Sequence, residues 1–430
     1  MIMKDGIVRL MDLPQDEIYV RVSSQLKNNL STLRKKSFKN MKEMADTINE
    51  PESAVINFFW SRNSSLLKTL IKLVAHFKIK DYEDEVLWIG GKTRGCGISH
   101  PKLPFNLSTR EGGMFIASVL GDGTFSHNLE VGYRNYCPLM LSTIKVTANK
   151  LFGKVRLAAE DSTSVTFPVI IGKILKTLGF IPGRKTVTNP SIPKFIINGS
   201  KECQIGFLQQ ITDDEASPQI KPPNSYSVRY EFALEIPIDK FHEKDRYVPN
   251  LLKDIYNLVR CMGYSTTRIY GGRILKGKVK PRYTVSWAFD IQGKSSLEKF
   301  TNEINFRVPK RKEKLEYGIS KMKVNTYGRK AQIITLSKVQ RLCDKSNFVT
   351  KHELATEINR TKRNAQEWLI KLNKKGFVKQ IGGNEFIGSG FCSLKGRTPA
   401  KYVVTRSGLS FLKNAIKQVE ENVRILPKYQ

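Results

Sequence analysis

The chain has 430 residues, enough for two to four domains, and its 40% hydrophobic and 10% aromatic content excludes a disordered chain. Its formal net charge of +33 exceeds what solubility requires and predicts a polyanionic partner, with nucleic acid as the first candidate. No stretch approaches a membrane span of roughly 20 apolar residues, no signal peptide opens the chain, and the six cysteines are scattered without a CxxC pair. We therefore expect no membrane partner and an intracellular protein of the cytoplasm or nucleoid.

Residues 1–90 are predicted to form an all-helical domain. Apolar residues recur there at helical spacing in four stretches, and a short turn at 49–52 joins the second helix to the third. This is the helix-turn-helix pattern, which predicts a DNA-binding domain. A small helical bundle with no role in DNA binding is the alternative. Residues 91–107 are rich in Gly, Pro and Lys and predict a linker.

Two similar stretches follow, Phe115–Gly123 and Leu208–Ala216. Each predicts a mostly apolar helix that ends on an acid followed by a small residue. The two acids, Asp122 and Glu215, are 93 residues apart, from 122 to 215. One acid at the foot of each of two helices can place two carboxylates side by side, which suits a hard divalent cation and phosphodiester chemistry. The alternative is two amphipathic helices that merely end in acids.

The same predicted order of elements follows each of these helices: two strands, a helix, two strands and a helix. The strands at 226–236 and 282–291 alternate apolar and polar residues cleanly, so each has one apolar and one polar face. A sheet with a polar, arginine-bearing face can lie along DNA. We therefore predict an α+β fold with two pseudo-symmetric repeats and two sheets. The polar residues expected to face DNA are Arg134, Arg229, Arg282, Thr284 and Ser286.

In these motifs the chain resembles the LAGLIDADG homing endonucleases in their single-chain, two-repeat form. The resemblance covers roughly 100–318 and includes segments that close each repeat, at 178–193 and 291–314. It implies an (αββαββα)×2 core, with repeat 1 at 108–199 and repeat 2 at 200–325.

The resemblance also implies a function. The two motif helices would pack side by side, and Asp122 and Glu215 would coordinate Mg²⁺, or another divalent cation, over the minor groove of double-stranded DNA. Gly121 and Asp214 are further candidate metal ligands. The protein would then be a site-specific DNA endonuclease, a hydrolase that acts as a monomer because one chain contains both repeats.

Two lysines and four departures from the family pattern bear on this expectation, and one departure is Glu215 itself, which replaces an aspartate. Lys185 and Lys312 are candidates for the charge-stabilising lysines of such sites, or else phosphate clamps or solvated charges. Gln209 and Gln210 stand where the family has small residues for close helix packing, and Ala216 replaces a glycine. A scaffold that binds DNA without cutting it, as in bacterial transcription regulators that join a degenerate LAGLIDADG domain to a helix-turn-helix, is therefore the alternative function.

Residues 330–425 are predicted to form three helices, a strand, a glycine-rich loop, a second strand and a last helix. This order resembles a winged helix domain, with the loop at 382–397 as the wing. A winged helix used for protein contacts is the alternative. The candidate DNA-binding residues are Lys362, Arg363, Asn364 and Gln366 on the third helix, and Lys395 and Arg397 in the loop.

Overall fold

The computed structural model of the protein describes residues 5–60, 64–91, 96–221, 225–237, 239–240, 243, 247–275, 282–322, 329–382 and 399–425, with the backbone alone at 282, 329–331 and 416–425. The chain forms two compact units, Met1–Met322 and Lys323–Gln430. The fold is mixed α and β, with several small antiparallel sheets, as expected for the α+β class.

Helices account for much of both units. The first unit contains α1 (Ser24–Ser37), α2 (Met41–Thr47), α3 (Glu52–Trp60), α4 (Leu67–His76), α5 (Arg110–Leu120), α6 (Pro138–Phe152), α7 (Val169–Thr177), α8 (Lys185–Thr188), α9 (Lys194–Ile197), α10 (Lys201–Glu215), α11 (Asn250–Cys261), α12 (Lys294–Glu303) and α13 (Pro309–Lys321). The second unit contains α14 (Arg329–Ser346), α15 (Lys351–Glu357), α16 (Lys362–Lys374) and α17 (Arg406–Ile425).

The strands are shorter and more widely distributed along the chain. The first unit contains β1 (Ile7–Val8), β2 (Tyr19–Val22), β3 (Ser65–Leu66), β4 (Val86–Gly90), β5 (Gly97–Ser99), β6 (Phe105–Asn106), β7 (Gly123–Phe125), β8 (Val131–Arg134), β9 (Lys154–Arg156), β10 (Ala159–Glu160), β11 (Ser164–Phe167), β12 (Ala216–Lys221), β13 (Ser225–Pro237), β14 (Tyr270–Leu275) and β15 (Arg282–Gln292). The second unit contains β16 (Val378–Gly382) and β17 (Lys401–Val404).

The N-terminal region differs from the sequence prediction. The expectation of an all-helical segment up to residue 90 is wrong, because β2, β3 and β4 accompany α1 to α4 and belong to a sheet with the order β3-β2-β4-β5-β9. Residues 97–107, expected to be part of a linker, contain β5 and β6, and Ile98, Phe105 and Leu107 are fully buried. Burial of these apolar side chains fixes this segment in the core of the first unit.

Two four-stranded sheets follow the two motif helices. The sheet after α5 has the order β7-β8-β11-β10, and the sheet after α10 has the order β12-β13-β15-β14. If the four strands of each sheet are numbered in chain order, both sheets have the strand order 1-2-4-3. The buried side chains of these sheets, of their helices and of the N-terminal region form one continuous hydrophobic core.

The second unit has its own hydrophobic core, built from α14, α15, α16, α17 and the antiparallel pair β16 and β17. The predicted order of its helices and strands is confirmed, while the predicted loop between the strands lies outside the described residues after Gly382. A capping box at Thr350 and Glu353 begins α15, and the Thr361 side chain caps α16. On α16, Ala365, Trp368 and Leu369 are buried.

Candidate metal and nucleic-acid site

Two glycines allow α5 and α10 to lie against each other. A Cβ atom on Gly113 would be 2.2 Å from the carbonyl oxygen of Cys203, and a Cβ atom on Gly206 would be 2.2 Å from that of Arg110. Only glycine permits so close an approach of two backbones. Gly113 and Gly206 are themselves 93 residues apart, the same separation as Asp122 and Glu215. The contact is therefore reciprocal, as between two equivalent elements related by a pseudo-twofold axis.

The two helices run in the same direction. Gly113 near the start of α5 lies against Cys203 near the start of α10, and Gly121 just beyond α5 lies against Asp214 near the end of α10. Contacts that advance together along both helices require a parallel arrangement. The acids that follow the two last turns, Asp122 and Glu215, are therefore at the same end of the helix pair.

Hydrogen bonds connect the two helix ends. The Asn135 side-chain amide donates to Asp122 Oδ2 at 2.9 Å and to the Tyr133 hydroxyl at 3.3 Å. That hydroxyl in turn donates to Asp214 Oδ1 at 2.7 Å, and the Gln210 amide also donates to Asp214, at 3.0 and 3.1 Å. Because Tyr133 and Asn135 follow α5 and Asp214 belongs to α10, this chain of polar groups fixes the two ends relative to each other.

Burial dominates the electrostatics of the acids. It raises the pKa of Asp122, against the opposing effects of Lys185, the Asn135 hydrogen bond and Arg311. It raises the pKa of Glu215 to about 7, with a further increase from the charge of Asp122 and an opposing effect of Lys185. The pKa of Asp214 is raised well above its usual value, again chiefly by burial. A bound cation would favour the ionised forms of these carboxyls.

Among the described residues two cations act on Asp122 and Glu215, and only one of them was singled out in the sequence. Burial lowers the pKa of Lys185, against the charges of Glu215, Asp214 and Asp122, so this lysine belongs to the cluster. The second is Arg311, which donates to the backbone carbonyl of Asp213 and, at 3.2 Å, to that of Ala216.

Lys312, the sequence candidate, points elsewhere. It is exposed, and its Nζ is 4.0 Å from Glu316. The sequence could not discriminate between adjacent cations of the basic run, because the choice depends on how α13 turns at its start.

A buried ion pair supports the second helix end. Asp213 is 1% exposed and accepts hydrogen bonds from Arg307 Nε at 2.7 Å and from the Arg307 backbone N–H at 2.9 Å. Arg307 also donates to the Gln210 side-chain oxygen at 2.6 Å. Gln210 is therefore fully buried and connects Arg307 to Asp214. The close helix packing that Gln209 and Gln210 were expected to prevent is provided by Gly113 and Gly206. Sequence reasoning missed both features, although the equal spacing of the two glycines was visible.

A cavity of about 360 Å³ lies beside Glu215 and is lined in part by residues of β13 and β15. Lys185, Glu215, Glu231 and Ser286 are among its lining residues. A cation and two carboxylates thus border a space beside the helix ends, where a charged substrate group can approach them.

The residues predicted to face DNA differ in exposure and in their partners within the sheets. Arg134 is exposed, with its guanidinium 5.8 Å from the ring centre of the exposed Tyr136. Arg229 forms an ion pair with Asp290, 3.1 Å from its Nε, and its guanidinium lies 5.6 Å from the ring centre of Tyr270. Its charge is therefore partly compensated within the sheet.

Ser286 was predicted to face outward, and this is wrong: it is 4% exposed. The reason is that α8 packs over this end of the sheet, where the side chains of Arg184 and Thr186 donate hydrogen bonds to the buried Glu235. Thr284, the cross-strand neighbour of Glu235, is half-buried. The side chain of Arg282 lies outside the described residues.

In the second unit, α16 presents its polar side as predicted. The Arg363 side chain is 91% exposed, with Nε 3.4 Å from Glu367, and Lys362 is exposed beside it. Asn364 and Gln366 are half-buried, and Gln366 accepts a hydrogen bond from Lys351 at 3.2 Å. Lys395 and Arg397 of the predicted wing lie outside the described residues.

The donor set at the helix ends suits a hard cation. Within the described ranges no group of three or more His, Cys, Asp or Glu side chains is arranged to hold a metal ion. Mg²⁺, however, is typically held by one or two carboxylates together with waters and substrate phosphates. Asp122 and Glu215 fit this requirement. Asp214 already accepts hydrogen bonds from Tyr133 and Gln210, and Gly121 can offer only its carbonyl oxygen.

Comparison with known proteins adds no relative. No model of a protein family matches the chain, and no curated protein does. Among the described helices, none is both long and apolar enough to cross a membrane. The function must therefore be inferred from the site and the charge of the chain.

Proposed function

We propose that the protein is a site-specific endonuclease of the LAGLIDADG homing type that hydrolyses double-stranded DNA with Mg²⁺ or another divalent cation. One observation carries the proposal: two parallel helices, in contact through glycines 93 residues apart, end in two acids with the same separation. Two phosphodiesters on opposite strands require two nearly equivalent acids, and a pseudo-twofold helix pair supplies them. One chain holds both acids, so the active form is a monomer.

Each group at the site has a role in this reaction. Asp122 and Glu215 would hold the cation, which would neutralise phosphate charge and make water a better nucleophile. Asn135 orients the Asp122 carboxylate through its hydrogen bond. Lys185 and Arg311 place positive charge where the phosphate gains negative charge in the transition state.

The two sheets support a DNA-binding role because they share one strand order and flank the helix pair. This shared order supports the proposal of an (αββαββα)×2 core of two repeats. Arg134 is the exposed base-reading or phosphate-binding residue of the first sheet. In the second unit, α14 to α16 with β16 and β17 match the order of a winged helix domain, and the exposed side of α16, with Lys362 and Arg363, is its DNA-binding face. The charge of +33 provides salt-dependent affinity for the phosphate backbone.

The test compares the parent protein with an Asp122→Asn, Glu215→Gln double variant. Both are incubated with plasmid libraries and Mg²⁺, and the products are sequenced at their ends. We expect discrete double-strand breaks from the parent only, with equal DNA binding by both proteins, since the isosteric amides keep the packing and remove the cation ligands.

A regulator that binds DNA without cutting it is the second candidate. The observation in its favour is that burial raises the pKa of Glu215 to about 7, so that a proton competes with a cation for this acid. Tight, salt-sensitive binding by both proteins with no breaks from either would establish this candidate and refute the endonuclease.

A further inference from the structure

The N-terminal strands β2, β3 and β4 belong to the same sheet as β9, a strand from the middle of the chain. In the sheet β3-β2-β4-β5-β9, the last strand follows α6, and its pairs are Gly97 with Arg156, Ile98 with Val155 and Ser99 with Lys154. The region that begins the chain and the region that holds Asp122 therefore share one hydrogen-bonded sheet.

Other contacts reinforce this connection. β1 pairs with β6, just before α5, through Ile7 with Asn106 and Val8 with Phe105. Lys173 on α7 is 6% exposed and binds the Glu17 carboxylate. A buried lysine with a carboxylate partner is costly to separate. The N-terminal helices are thus fixed to the frame of the cleavage site and are not held on a flexible tether.

Within this region, α2 and α3 form a helix-turn-helix. The turn contains Asn49 at φ +53°, and the buried Glu50 carboxylate binds Lys72 Nζ at 2.7 Å, which ties the turn to α4. The helices α2 and α3 pack against each other, and Met44 on α2 and Phe58 on α3 are buried in the core. The pair is therefore rigid, and α3 has one face against the core and the other free.

The free face of α3 has the chemistry of a base-reading surface. Asn57 is exposed, Ile56 is 38% exposed and Trp60 is 74% exposed. Asparagine can bind adenine through two hydrogen bonds, and apolar side chains contact the thymine methyl group. The segment that leads into α2 and α3 is basic and exposed, which suits phosphate contacts. Its exposed lysines are Lys35, Lys36, Lys39 and Lys42.

We propose that α3 reads an outer element of the DNA target at a fixed distance and helical phase from the cut site. The target is then bipartite, with a spacer of one length. This inference rests on the proposed function, which requires a DNA target, and adds that the shared sheet fixes its geometry. A flexible tether would instead allow the two elements to vary in spacing.

The experiment begins with selection of bound sequences from randomised duplexes by the full-length protein. We expect a block around the cut site and an outer block read by α3, in addition to any block read by α16. Inserting about 5 base pairs between the cut-site block and the outer block turns the outer block by half of the 10–10.5 base-pair helical repeat and should weaken binding at least about tenfold. The Asn57→Ala protein should lose base preference in the outer block alone, and its cut position should be unchanged. Asn29→Ala, an exposed asparagine on α1, is the matched control and should change neither block.

The outcomes separate the two proposals. If the parent selects no sequence at all, the proposed function and this inference both fail. Absence of the outer block, an insertion tolerated within about twofold, or an Asn57→Ala protein with unchanged preferences would refute the inference and leave the proposed function intact. Circular dichroism of each variant confirms that the fold is retained.

Discussion

At the end of α5, Asp122 stands between two glycines, whereas at the end of α10, Glu215 stands between Asp214 and Ala216. The first end is held by apolar packing, with Leu120 only 4% exposed. The second end is held by the buried Asp213–Arg307 pair, at the position equivalent to Leu120. Two helix ends with matched backbones thus have different chemical support, so equivalence of geometry does not require equivalence of sequence.

The largest effect is expected from breaking the polar support of the second end. Arg307→Ala leaves the Asp213 carboxylate buried without its partner and should lower the free energy of unfolding by about 3–5 kcal/mol. Urea denaturation measures the change. Arg156→Ala removes an exposed arginine and should stay within about 0.5 kcal/mol of the parent. A loss below about 1 kcal/mol for Arg307→Ala would mean that the ion pair does not support this end.

A smaller, symmetric effect is expected at the glycine contact. Gly113→Ala and Gly206→Ala each place a Cβ 2.2 Å from a backbone oxygen, which the helices can relieve only by separating. Each should cost about 1–3 kcal/mol in unfolding free energy, by similar amounts. Gly91→Ala is the control, because its Cβ would meet nothing within 4 Å. Unequal costs at the two glycines would contradict the pseudo-twofold contact.

The pH dependence of the unfolding free energy should report on Glu215, the acid at the end of α10. Burial raises the pKa of Glu215 to about 7 in the folded protein, above the ordinary pKa of 4.5 for the free side chain. Between these values the folded state binds more protons than the unfolded state, so unfolding free energy falls as pH rises toward 7. Glu215→Gln should flatten this decline in metal-free buffer, and the exposed Glu313→Gln should not. An unchanged slope in Glu215→Gln would place the proton elsewhere.

The smallest effect is expected at Lys312. Lys312→Ala removes an exposed lysine near Glu316 and should change stability by less than about 0.5 kcal/mol and cleavage not at all. Arg311→Ala is the informative partner, because Arg311 acts on both acids. Cleavage rates on a selected target compare the two. Normal cleavage by Arg311→Ala together with loss of cleavage in Lys312→Ala would instead identify Lys312 as the charge-stabilising residue.

Periodicity in the sequence was enough to predict the long elements. The strands β13 and β15 lie within a residue or so of the positions predicted for them, 226–236 and 282–291, because each has one regular apolar face. The strands near the N-terminus could not be predicted in this way. They have two to five residues, too few for a visible alternation, and β5 pairs with β9 from far along the chain.

The site was predicted in outline only. Asp122 and Glu215 stood out because a small residue follows each acid at the end of an apolar run. The Asp213–Arg307 pair joins positions 94 residues apart, and nothing local to either position indicates the other. Burial of Ser286 likewise depends on α8, which covers an otherwise polar face.

The strand β9 also bears on how the protein is made. Its partner β5 ends at Ser99, and β9 begins at Lys154, so the ribosome must add the residues between them before the sheet can close. At roughly 5–20 residues per second, β5 has an unpaired edge for several seconds. An unpaired edge invites pairing with other chains. A nascent or truncated chain that stops before residue 154 is therefore a natural client for chaperones and prone to aggregate.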